Sequence, residues 1–177
     1  MCAENTDTAN IETKGFCRYK ATNGIKRHLL VDVLGNPYCV RCTKASMSDD
    51  DGLPAIIKEN KQYFLDLPVG QIVTILLDHG YHREHLEKQI KEIDGRLASR
   101  IRIEIAEKIT PERRTAAKAE NPAKQGFVVI EKRWIVERTN AWINQCRVLW
   151  KNCERLLRTS EAKIRICAIR LILRRIA

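Results

Sequence analysis

The chain has no apolar stretch long enough to cross a bilayer: the longest, Ile72 to Leu77, is far below the ~20 residues a spanning helix takes. An export signal is missing from its start, where Met1 to Asn10 is polar and carries Glu4 and Asp7. The even, regular cysteines of a disulfide scaffold are absent too; the seven present are odd in number and irregularly spaced, which points to reduced thiols. A soluble cytoplasmic protein with no membrane partner is the expectation. Cys39-Val40-Arg41-Cys42 has zinc-like spacing, but no second such pair exists and it falls on a predicted strand, which argues against a metal role. No internal repeat is visible, and 177 residues leave room for one domain with a real core and hardly for two.

What the chain has in excess is positive charge, +10 net. Met1 to Arg100 holds 14 basic and 14 acidic residues, so the whole excess lies in Ile101 to Ala177, with 18 basic and 8 acidic. A basic half suits a polyanion, because each phosphate neutralised releases condensed counterions. A solvated basic surface is the plainer alternative, so charge permits nucleic acid without proving it.

Met1 to Lys20 shows no periodicity, and 1–25 reads as an irregular lead-in. His28 to Leu34 reads as a strand, Gly35-Asn36-Pro37 as a turn and Tyr38 to Thr43 as the returning strand. Ser46 to Asp51 offers several caps for a helix from about Leu53 to Asn60. Ile72 to Leu77 has the composition of a strand buried on both faces, and a helix over His82 to Ile93 follows. Ile101, Ile103 and Ile105 alternate with Arg102 and Glu104 as in a half-buried strand. Residues 110–126, with Pro111, Pro122 and many charges, read as a linker, and 131–177 as a basic helical part. Its first helix is expected from about Arg133 to Cys153. Its last is capped by Thr159 or Ser160, with Ile164, Cys167, Ala168 and Leu171 on one side. The pattern is that of an α/β chain with a mixed sheet.

Two acids stand out. Asp78 ends the apolar strand beside Gly80, at the edge of an α/β sheet where ligands usually bind; a helix cap or turn acid is the alternative. Glu137 lies in a helical stripe of Arg133, Glu137, Asn140, Asn144, Arg147 and Lys151, opposite Ile135, Trp142, Ile143, Cys146, Leu149, Trp150 and Cys153. A solvated face with an Arg133–Glu137 pair is the competing view. The stripe is rich in amides where a solvent face usually alternates Glu and Lys.

Lys26 to Asp32, Leu77-Asp78-His79-Gly80-Tyr81, the block Arg133 to Trp142 and the closing stretch from Glu154 to Arg175 together resemble bacterial insertion-sequence transposases of the DDE type, in order and over essentially the whole chain. The resemblance implies a ribonuclease-H-like fold whose three acids hold two Mg²⁺ (or Mn²⁺) ions for in-line attack on DNA phosphate. It makes Asp78 the second acid and Glu137 the third, both metal ligands. It also implies DNA as partner, both element ends and target, and a nucleoid-associated location in the cytoplasm. Arg133, Arg138, Asn144, Arg147 and Lys151 become candidate DNA contacts.

The family's glutamate helix reads Tyr-x₂-Arg-x₃-Glu-x₆-Lys; here Ile130 stands in the tyrosine position and Asn144 in the lysine position, with Arg147 and Lys151 as alternative cations. By the family's register the first aspartate and its central strand fall just before Met1. Asp7 lies in the connection after that strand, and Asp32 is expected to be structural, near a turn. The expectation is a single truncated domain over 1–177, inactive alone, a fragment or second reading frame needing an upstream-frame polypeptide or a second transposase copy. A non-enzymatic DNA-binding remnant is the alternative. A zinc-dependent regulator built on the cysteine pair and on His79, His82 and His85 is the third and weakest reading. The basic terminal helix either lines a DNA channel or packs with its arginines extended to water.

Overall fold

The structure, a computed structural model, describes residues 2–5, 11–106, 133–149 and 151–176. Strands β1 (Cys2–Asn5), β2 (Gly15–Cys17), β3 (Thr22–Val31) and β4 (Pro37–Lys44) are followed by helices α1 (Asp49–Glu59) and α2 (Lys61–Leu65). Then come β5 (Val73–Leu77), α3 (Arg83–Ile93), a 3₁₀ turn at Gly95–Ser99 and β6 (Ile101–Ile105). The C-terminal part holds α4 (Arg133–Asn144), a 3₁₀ turn at Arg147–Leu149 and α5 (Leu157–Ile176). The expected linker at 110–126 lies outside the described residues, as do Ile130 and Trp150.

The chain is mixed α/β, as its sequence pattern predicts, and consistent with a ribonuclease-H-like domain. Antiparallel and parallel pairing are segregated. β1 pairs along one edge of β3, β2 and β4 pair along the other, and all three run antiparallel to β3. β5 and β6 form a separate parallel pair, with Ile75 opposite Ile103. Among the described residues no ladder joins the two sheets. The stretch expected to be an irregular lead-in therefore carries two short strands.

Alternation along β3 serves two cores. Ile25 and Leu29, with Val40 and Cys42 from β4, pack under α4 and α5 against Ile143, Cys146, Leu149, Ile164 and Cys167. Leu30 faces the other way, toward a core of Leu53, Ile57, Phe64, Ile75, Leu86, Ile90, Leu97 and Ile103. Lys26 and His28 share that second face by strand periodicity. Lys26 reaches Asp49 at 2.8 Å, and His28 sits against Gly52 in α1.

Several boundaries differ from the sequence expectation. α1 starts at Asp49, because Ser48 caps it by accepting the Asp51 backbone N–H at 3.1 Å. α5 starts at Leu157, and Ser160 donates instead to the Asn152 side chain at 2.9 Å. The helix expected from Arg133 to Cys153 stops at Asn144: Cys146 N–H bonds to Ile143 and Leu149 N–H to Cys146, a tightening to 3₁₀ turns. Buried Arg27 holds this turn by donating to the Leu149 carbonyl at 3.0 Å. β5 is buried on one face only. Ile75 enters the core while Ile72, Thr74 and Leu76 are exposed, because the described helices α1 and α3 cover just that side.

Candidate active site

Asp78 follows β5 directly and is about half exposed, with a side-chain value of 47%. Its carboxylate accepts the His79 backbone N–H at 2.9 Å, and its carbonyl accepts that of Tyr81 at 3.2 Å, closing a tight turn. The end of this loop is fixed from another element. Asp50, in the first turn of α1, accepts the His82 backbone N–H at 3.1 Å and contacts the His82 ring nitrogen Nδ1 at 2.7 Å. Tyr81, half-buried, feels the charge of these acids. Burial first, then the carboxylates of Asp49, Asp50 and Asp78, push its phenol well above the usual range, so it stays protonated. Sequence reading took Asp50 only as a possible helix cap; nothing local marks it as a loop anchor.

Glu137 is exposed on α4, and the helix beneath it is tightly fixed. Fully buried Thr139 donates to the Gly35 carbonyl at 2.7 Å. Arg138 donates to the Leu34 carbonyl at 2.7 Å, with its guanidinium 4.2 Å from the Trp134 ring and 4.7 Å from that of Trp142. Arg175 of α5 stacks over Trp142 at 5.1 Å and bonds to the Asn36 side chain at 2.6 Å. The hairpin turn at 32–36 is thus the seat of α4. Gly35 has φ +84°, and a Cβ there would meet Thr139 Oγ1 at 2.9 Å, so the position needs glycine twice over.

Asp32 organises this turn. Its carboxylate accepts the backbone N–H groups of Leu34 and Asn36 at 2.9 and 2.8 Å and the Asn36 amide at 2.8 Å. Burial alone would raise its pKa; the bonds from Asn36, Leu34 and Gly35 outweigh it and lower the value. The structural role expected for Asp32 is what is found.

Of the candidate DNA contacts, Asn144, Arg147 and Lys151 are exposed, although Arg147 and Lys151 lie beyond the end of α4, so the stripe is not one continuous helix face. Arg138 is engaged within the chain. Arg133 opens α4. Cys39 and Cys42 are both buried on β4, and a spacing of three puts them on opposite faces, so they cannot converge on one ion. Cys17, Cys39, Cys146 and Cys167 are free thiols. Among the described residues no group of three His, Cys, Asp or Glu side chains is arranged to hold a metal ion. Asp78 and Glu137 carry hard carboxylate oxygens, the donor type that Mg²⁺ takes. No described helix is long and apolar enough to cross a membrane.

A family profile described as "Transposase DDE domain" matches residues 6–172. The chain belongs to this family. No curated protein and no solved structure matches it significantly. The DDE-domain match covers both acids and nearly all described elements, so the chain is of the DDE transposase type. For this family the partner is DNA and catalysis depends on divalent metal.

Proposed function

We propose that the chain is the catalytic domain of an insertion-sequence transposase, with Asp78 and Glu137 as its second and third carboxylates. The family match over residues 6–172, a span that includes both acids, carries this reading. Asp78 at the C-terminal end of β5 and Glu137 on an exposed face of a firmly seated helix support it. Two bound Mg²⁺ or Mn²⁺ ions would activate water and then a DNA 3′-hydroxyl for attack on phosphate. This chain's own part is to hold two ligands on rigid elements. The Asp50–His82 contact fixes the loop after Asp78, and the hairpin seat of α4 fixes Glu137. Asn144, Arg147 and Lys151 are the contacts we assign to the DNA backbone, with Arg133, at the start of α4, as a further candidate.

We further propose that the site is completed by a third carboxylate beyond Asp78 and Glu137, with an upstream-encoded polypeptide or a second transposase copy as its candidate sources. The three-acid chemistry of the family supports this, since Asp78 and Glu137 would provide two of the three. The test is nicking of supercoiled DNA carrying the element's ends, with Mg²⁺ or Mn²⁺. Activity should require the upstream-encoded polypeptide or a mixed oligomer and vanish in Asp78→Ala and in Glu137→Ala. Nicking that survives either substitution would refute the assignment. The second reading, a DNA-binding remnant without chemistry, draws on the basic C-terminal part. DNA binding with no nicking under any complementation would favour it.

A further inference from the structure

α5 is apolar on two opposite sides. Ile164, Cys167 and Ala168 are buried against the antiparallel sheet, as sequence periodicity predicts. On the far side Ile166, Ile169, Leu173 and Ile176 are 66, 56, 60 and 76% exposed. Their spacing of three, four and three residues matches alternate a and d positions of a heptad, which lie in one seam along a helix. Exposed Ala162 sits one turn before Ile166 on the same line. Single exposed aliphatics are ordinary on any surface, whereas a contiguous row on one helix marks a binding face.

The borders of the row say what fits it. Helical geometry places Arg158 and Arg165 along one side and Lys163, Arg170 and Arg174 along the other. Arg165 reaches Glu59 at 3.4 Å, and Lys163 pairs with Glu154. The one acid of α5, Glu161, is buried and accepts the Cys42 backbone N–H at 2.8 Å, so it gives nothing to the exposed side. Both flanks are cationic. We propose that this face docks an amphipathic helix of a partner protein whose aliphatic residues follow the same spacing and whose flanking positions are Asp or Glu. A second copy of α5 would set arginine against arginine at these flanking positions, where like charges select against pairing. Duplex DNA would satisfy the arginines but give the four aliphatic side chains no apolar surface to meet.

The probes are two synthetic peptides of about four heptads with Leu at a and d, one with Glu and one with Lys at the flanking e and g positions. Fluorescence anisotropy with the full chain should show binding of the Glu peptide and none of the Lys peptide. The double variant Ile169→Ser/Leu173→Ser, changed only at exposed positions, should melt like the parent and bind the Glu peptide at least about tenfold more weakly. Arg170→Glu/Arg174→Glu should reverse the peptide preference. Equal binding of both peptides, binding of neither, or no effect of the serine variant overturns the proposal. So does self-association that depends on Ile169 and Leu173, or seam-dependent binding to phosphatidylglycerol vesicles without binding of the Glu peptide.

Discussion

At the scale of single residues, His28 shows how a polar group is kept inside. It is 1% exposed, and its Nε2 lies 2.7 Å from the Thr43 hydroxyl, which in turn donates to the Lys44 carbonyl at 3.3 Å. With Nε2 as the donor, the bare Nδ1 faces Gly52, where an unprotonated nitrogen costs less than an orphaned N–H. Burial, set against the raising effect of Asp49, lowers the His28 pKa to about 4. The unfolded chain therefore takes up this proton first. The stability contribution is complete above about pH 6.5 and is lost as pH falls toward 4, a difference on the order of 3 kcal/mol. Thermal melts across that window should show the decline, and His28→Gln should flatten it. A Cβ on Gly52 would stand 2.1 Å from the His28 ring. Gly52→Ala should accordingly destabilise by about 1–3 kcal/mol through overpacking, read from denaturant midpoints.

At the scale of elements, the seating of α4 on the hairpin turn is the most consequential contact for the site. Its parts are spread over the sequence: Thr139 with Gly35, Arg138 with Leu34, Arg175 with Asn36. Thr139→Val keeps the shape but strands the Gly35 carbonyl, at a cost of about 1–3 kcal/mol. Hydrogen exchange in α4 should speed up in this variant more than in β5. Unchanged protection of α4 would show that the seat depends on the tryptophan–arginine stack instead.

This element also marks where sequence reading stops. Periodicity located α4, whose Ile143 is buried and whose Ile135 and Trp142 are half-buried on the expected side, but it carried the helix on to Cys153, which is exposed. It could not locate the helix end, since the group that holds the following 3₁₀ turn is Arg27, distant in sequence. The apolar run through Ile75 revealed β5 and the position of Asp78, yet composition gave no sign that only one face is covered. For Asp50 no local signal existed, because its role is set by the meeting of α1 with the loop after β5.

At the scale of the whole molecule, the proposed DNA contacts carry an expected salt signature. Arg147 and Lys151 are exposed in the strongly basic C-terminal part, so each should neutralise about one phosphate. Replacing either with Ala should weaken duplex binding uniformly across sequences and reduce the slope of log K against log salt by about 0.9. Titrations at several salt concentrations measure this directly; an unchanged slope removes that residue from the interface. Arg138→Ala should act differently, lowering stability before affinity, because its guanidinium is already held by two tryptophans and a carbonyl.

The bond from the Cys42 backbone to Glu161 has a consequence in time. β4 is an outer strand, and one of its outward N–H groups finds its acceptor only in the last helix. During synthesis the hairpin emerges long before residue 161, so each nascent chain carries an open strand edge until that residue has been added. Neighbouring nascent chains on one message are then candidates for pairing edge to edge. Slowing translation between the codons for β4 and for Glu161 should raise the insoluble fraction more than slowing it ahead of β4.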